Sequence, residues 1–115
     1  MSEDNIVRKI AVIFVTDVVG FSKLMEKNEE QTLRSFRACK EILDNLFAEH
    51  GGRIFNTAGD SVLAEFQSAV SAVICASEFQ KLIKQRNAAL DDEDAQIRFR
   101  VGINMGDVIV EDQNL

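Results

Sequence analysis

The stretch that most constrains this chain is the apolar run Ile10-Ala11-Val12-Ile13-Phe14, closed by Val15 and Thr16 and followed by Asp17, Gly20 and Ser22. The run is short, rich in β-branched residues and ends near a glycine. It therefore reads as a buried strand covered on both faces. Asp17 falls at the strand's C-terminal edge, Gly20 makes a turn, and Ser22 precedes a helical pattern. A strand that ends in an acid and turns into a helix can hold a cation and an anion side by side. The carboxylate ligates the one, and free backbone N–H groups of the turn and helix start face the other.

A second acid occurs in a comparable setting. Ala58-Gly59-Asp60 is flanked by two short apolar runs within Arg53 to Phe66, which predicts a β-hairpin with Gly59 at positive φ. Asp60 then opens a strand. If the hairpin lies beside the first strand, Asp17 and Asp60 meet at one edge of the sheet. Facing carboxylates repel unless one protonates or a divalent ion lies between them. A donor set made only of oxygen favours Mg²⁺ or Mn²⁺ over Zn²⁺.

The rest of the chain predicts a β-α-α-β-β-α-β-β order. Met1 to Val7 is a polar lead-in, and the first strand runs roughly Arg8 to Thr16. A short helix passes through Lys23 to Lys27 and Asn28 interrupts it. A second helix covers Glu29 to His50, with Leu33, Phe36, Cys39, Leu43, Leu46, Phe47 and His50 on one face. Gly51-Gly52 stop it, one of them suited to a left-handed cap, and His50 lies beside the helix dipole. Ser68 caps a third helix to about Ala89, with Ala69, Ala72, Val73, Ala76, Phe79, Gln80 and Ile83 inward. Asp91 to Asp94 is a solvated acidic loop. Ile97 to Asn104 alternates as a strand, Met105-Gly106-Asp107 turns it, and Val108-Ile109-Val110 begins another. The middle hairpin is too tight for a crossover. The expected fold is α+β, a ferredoxin-like antiparallel sheet with helices on one face.

Composition narrows the function classes. The 115 residues make at most one domain, and a 46% hydrophobic content suffices for a core. Thirteen Lys plus Arg against nineteen Asp plus Glu give a net charge of −6, which argues against a nucleic-acid polymer as partner. Cys39 and Cys75 fall within helical patterns and read as buried, reduced thiols. No stretch is long and apolar enough to span a membrane and the charged start is no signal peptide, so a cytoplasmic location is expected.

The segments TDVVGFS, NTAGDSVLAEF and RFRVGINMGDVIVED, in this order, resemble the catalytic domain of class III adenylate and guanylate cyclases, in a bacterial-type version. The similarity runs from about Arg8 to the end of the chain. It implies a palm-like fold and attack of the ribose 3′-hydroxyl of a nucleoside triphosphate, ATP before GTP, on its α-phosphorus. Pyrophosphate leaves. By this resemblance Asp17, Asp60 and the backbone carbonyl of Val18 hold two divalent ions, Mg²⁺ or Mn²⁺. The N–H groups of Gly20, Phe21 and Ser22 hold the β and γ phosphates, with Gly20 letting the backbone come close to the anion. The resemblance also implies a head-to-tail homodimer, in which one subunit supplies the acids and the other the base-reading and charge-clamping residues.

Two positions depart from the family pattern. The site that commonly holds a purine-reading lysine or glutamate falls on Asn56, and its usual partner falls near Asn114. Asparagines both donate and accept, so this pair could read adenine or guanine. The family's domain also continues past the position of Leu115, with an Asn and an Arg that stabilise the transition state and cannot be mapped here. Beside the enzyme stand two alternatives: a cyclase-like nucleotide-binding or regulatory module without turnover, and a generic ferredoxin-like interaction domain. Arg98 and Arg100 are expected on a polar strand face, with a surface role.

Overall fold

A computed structural model describes residues 6–111. Among them the order is β1 (Ile6–Val18), α1 (Phe21–Lys27), α2 (Glu29–His50), β2 (Arg53–Ala58), β3 (Ser61–Phe66), α3 (Ala69–Ala88), a 3-10 turn (Glu93–Ala95) and β4 (Phe99–Glu111). The four strands lie in the order β2-β3-β1-β4, all neighbours antiparallel. Connections through α1–α2 and through α3 let β1 sit between β3 and β4. This is the α+β, ferredoxin-like arrangement expected from the sequence.

The element ends follow local chemistry. The Asn28 side chain accepts from the Gln31 N–H and starts α2 with Glu29 and Glu30 in its positive first turn. Gly51 stops α2 at φ 79, the left-handed cap predicted there. Gly52 is needed for a different reason. A Cβ on it would meet the Phe66 and Phe47 rings at 2.7 and 2.8 Å, so the chain leaves α2 pressed against the core. Ser68 caps α3 through the Ser71 N–H, and Gly59 turns the β2–β3 hairpin at φ 58.

The core lies between the helices and one face of the sheet. Phe14, Phe47 and Phe66 pack with ring centroids 5.2 to 5.7 Å apart, two of the pairs edge to face. Phe36 and Phe79 both meet Phe99 at the end where β4 begins. Cys39 and Cys75 are free, buried thiols. Burial first, then the carboxylates of Glu78 and Glu49, push the Cys75 thiol up to about 11.

Four expectations need correction. β1 is not fully covered on both faces: Val12, Phe14 and Val18 join the core cluster with the helices, while on the other face Ala11 is buried but Val15 is 37% exposed. The inward face of α3 agrees with the predicted one only in part. Ala72, Phe79 and Ile83 are buried as expected, with Cys75 beside them, but Val73 is 56% exposed and Asn87 is buried instead. Asn87 is satisfied there because its amide brackets the Ile97 backbone, Nδ2–H donating to the Ile97 carbonyl and Oδ1 accepting the Ile97 N–H. The predicted turn at Met105-Gly106-Asp107 does not form. These residues pair with Val12, Ala11 and Ile10, and β4 runs on as one strand, so the order ends in one β-strand rather than two. Ile6 and Val7, expected in the lead-in, are already in β1.

Candidate active site

The sheet's uncovered face carries the candidate chemistry. Cross-strand partners share a face, so Asp17 stands beside its register partner Arg100. The Arg100 Nε–H and Nη2–H donate to Asp17 Oδ1 and Oδ2 at 2.9 and 3.2 Å, a bidentate ion pair. The Asp17 hydrogen bond first, then its charge, and more weakly the charge of Asp60 hold the Arg100 guanidinium above its usual range. Arg100 lies on the exposed strand face as expected, its side chain 70% exposed, and from there it reaches onto a candidate ligand. Only the strand register, which joins residues 83 apart, discloses this contact.

Asp60 reaches the same place from the β2–β3 turn. Its Oδ2 accepts the backbone N–H of Val18 at 2.8 Å, one peptide beyond Asp17. The two acids thus converge, with Asp60 at the strand start as expected, one residue before β3 begins. The next N–H, that of Val19, donates to the Arg98 carbonyl at 2.8 Å and ties the exit of β1 to the approach to β4.

Gly20 then turns the chain at φ 65, ψ 34 and stands at the N-cap of α1 without a capping side chain. A Cβ on Gly20 would meet nothing within 4 Å, so within this chain the glycine answers the left-handed backbone. Asp17, Val18, Gly20, Phe21, Ser22, Lys23, Asp60 and Arg100 line one shallow cleft of about 470 Å³. Six predicted site residues are together there.

Asn56 is not among the residues lining the cleft. It is exposed on the edge strand β2, opposite Leu63, which in turn pairs with Val15. Asn114 lies outside the described residues.

The cleft can take positive charge. It offers two carboxylates from separate elements, of which Asp17 already binds one cation side chain and Asp60 a backbone N–H. Its acid donors are all oxygen, which suits a hard divalent ion. Residues 3–112 match the family model described as the Adenylate and Guanylate cyclase catalytic domain. A protein of Rhizobium meliloti (strain 1021), provisionally named adenylate cyclase 3, is 45% identical over 116 residues, covering 100% of this chain and 20% of the relative. An adenylate cyclase of Streptomyces coelicolor is 33% identical over 107 residues, covering 92% of this chain and 26% of the relative. The chain therefore spans about a fifth to a quarter of the length of these two relatives. The crystal structure of an adenylate/guanylate cyclase/hydrolase from Silicibacter pomeroyi superposes with a TM-score of 0.84 at 37% identity, over 96% of this chain and 64% of that one. With the family model matched along nearly its whole length, this chain belongs to the adenylate and guanylate cyclase catalytic-domain family.

Proposed function

We propose that the protein carrying this chain cyclises a purine nucleoside triphosphate, ATP before GTP, to the cyclic monophosphate and pyrophosphate. The observation that supports this most is the convergence of Asp17 and Asp60 in one cleft, where Asp60 accepts the N–H of Val18 from 42 residues further along the chain. The relatives named above add ATP as the first candidate substrate.

In this reading Asp17, Asp60 and the carbonyl of Val18 hold two divalent ions, Mg²⁺ or Mn²⁺. When bound, these ions supply charge neutralisation to the triphosphate and acidify the ribose 3′-hydroxyl. The chain's own residues do the positioning. Asp60 pins the Val18 peptide, which keeps the end of β1 in register with the hairpin turn. The left-handed Gly20 aims the uncapped start of α1, and with it the N–H groups of Gly20, Phe21 and Ser22, at the phosphates. Arg100 holds Asp17 until a ligand claims it, and Lys23 lines the same cleft. Asn56, with Asn114, reads the purine in a head-to-tail homodimer and serves a cleft other than its own, which fits its place on the edge strand. The protein acts on the cytoplasmic side; among the described residues no helix is long and apolar enough to cross a membrane.

The test is incubation with ATP or GTP and Mn²⁺, with cyclic nucleotide and pyrophosphate both measured. Equimolar formation of the two supports the enzyme. A second reading, a cyclase-like nucleotide-binding module without turnover, draws on the bidentate Arg100–Asp17 pair, which engages both oxygens of a metal-ligand candidate. Tight nucleotide binding with no pyrophosphate would select it.

A further inference from the structure

The two long helices bring a second ligand set together outside the cleft. Glu49 and His50 end α2, and Glu78 lies midway along α3. His50 Nε2 and Glu78 Oε2 are 3.0 Å apart, and His50 Nε2 and Glu49 Oε2 are 3.9 Å apart. One ligand atom from each of the three lies within 4.8 Å of the other two. None of these residues lines the cleft of Asp17 and Asp60.

We propose that Glu49, His50 and Glu78 form a transition-metal site, with Zn²⁺ as its ion, that fastens the end of α2 to α3. Ligands about 2.1 Å from a tetrahedral zinc stand roughly 3.4 Å from one another. The His50–Glu78 pair is already that close. The wider gap to Glu49 closes by motion of the most exposed of the three side chains, 67% accessible, while the imidazole is 20% accessible and already in contact with Glu78. One imidazole nitrogen with two carboxylates suits a borderline ion and not Mg²⁺, which prefers oxygen alone.

The electrostatics agree. Among the described residues neither Glu49 nor Glu78 pairs with a lysine or arginine, whereas Glu65, Asp17, Asp44, Asp94 and Asp107 each do. The site also sits at the C-terminal end of α2, where the helix dipole is negative and favours a cation. The same two carboxylates act on the buried Cys75 thiol beneath them, so their field is not cancelled locally.

His50 is the only histidine, so an untagged chain gives one set of imidazole proton resonances. Zn²⁺ titrated into the reduced chain near neutral pH should shift that set to saturation at one equivalent for this site and raise the melting temperature. Glu78→Gln, which keeps the side chain's shape, should weaken the Zn²⁺ effect on His50 roughly tenfold or more, and Glu49→Gln should weaken it less. An Asp17→Asn variant should leave it unchanged, which separates this site from the cleft. The proposal is overturned if the imidazole signals stay in place with Zn²⁺ in excess, if both glutamine variants bind as the parent does, or if Mg²⁺ moves the signals equally.

Discussion

The uncovered face of the sheet carries two ionic clusters wired in opposite ways. At its centre Glu65 is enclosed, its side chain 10% exposed, between Lys9 at 2.6 Å and Arg53 at 3.0 Å. At its end only Asp17 is paired with a cation, the Arg100 guanidinium, while Asp60 accepts the Val18 backbone N–H. The central acid has more cationic partners than it needs, and the pair at the end has fewer. The effect on titration follows: burial alone would raise the Glu65 carboxyl, yet Lys9 and Arg53 together hold it below the usual carboxylate range. An acid satisfied within the chain serves the fold, and acids left short of positive charge beside a cleft serve a ligand.

The largest test of that contrast is Asp17→Ala or Asp60→Asn. Either should lower cyclisation by on the order of 10²–10³-fold, the scale of losing one electrostatic element, with little change in unfolding free energy. Asp60→Asn keeps an oxygen for the Val18 N–H, so a loss of activity there cannot be charged to the turn. Unchanged turnover in both variants would end the contrast and the cyclase reading with it.

Glu65→Gln should do the reverse. It removes the charge between Lys9 and Arg53 and should cost about 1–3 kcal/mol in urea denaturation while leaving Mn²⁺ affinity as it was. A weakened Mn²⁺ site with full stability would show that the two clusters have been assigned the wrong way round.

The pH dependence sharpens the same point. The folded Glu65 carboxyl lies below its unfolded value, so its stabilisation is complete at neutral pH and is lost as pH falls through the folded pKa. Parent and Glu65→Gln melting curves should differ most near neutrality and converge in acid. A gap that widens on acidification would contradict the depressed pKa.

The smallest effect is expected from Arg100→Met. The ion pair is exposed and screened by solvent, so its loss should leave the urea midpoint almost unmoved. Freed of a competing cation, Asp17 should then bind Mn²⁺ up to ~5-fold more tightly in the absence of nucleotide. Weaker Mn²⁺ binding would show that Arg100 orients the carboxylate for the ion rather than standing in its place.

Legibility tracked the range of the interaction. α2 was predicted at both ends because Asn28, Glu29, Glu30 and Gly51 act within one turn of where they stand. The hairpin was predicted because Gly59 needs only its neighbours to turn. β4 was misread because Gly106 and Asp107 look like a turn in isolation, whereas thirteen paired residues of β1 hold them extended. The α3 stripe was misjudged because Asn87 looks like a surface residue until Ile97 arrives to satisfy its amide.

The site divides in the same way. Asp17, Gly20 and Asp60 were legible, since an acid at a strand end and a glycine turn are local patterns. Arg100 was legible only as a polar residue on an alternating strand.

By itself the sequence determined where helices begin and end, where the β2–β3 hairpin turns, which family it joins and which acids are candidates, because caps, periodicity and short motifs act between near neighbours. Only the tertiary structure decided which face of β1 stays open, which cation meets Asp17 and how Glu49 and His50 find Glu78. Strand register and helix packing join residues far apart in the chain, and a one-residue slip in either would send the same side chains to the opposite face.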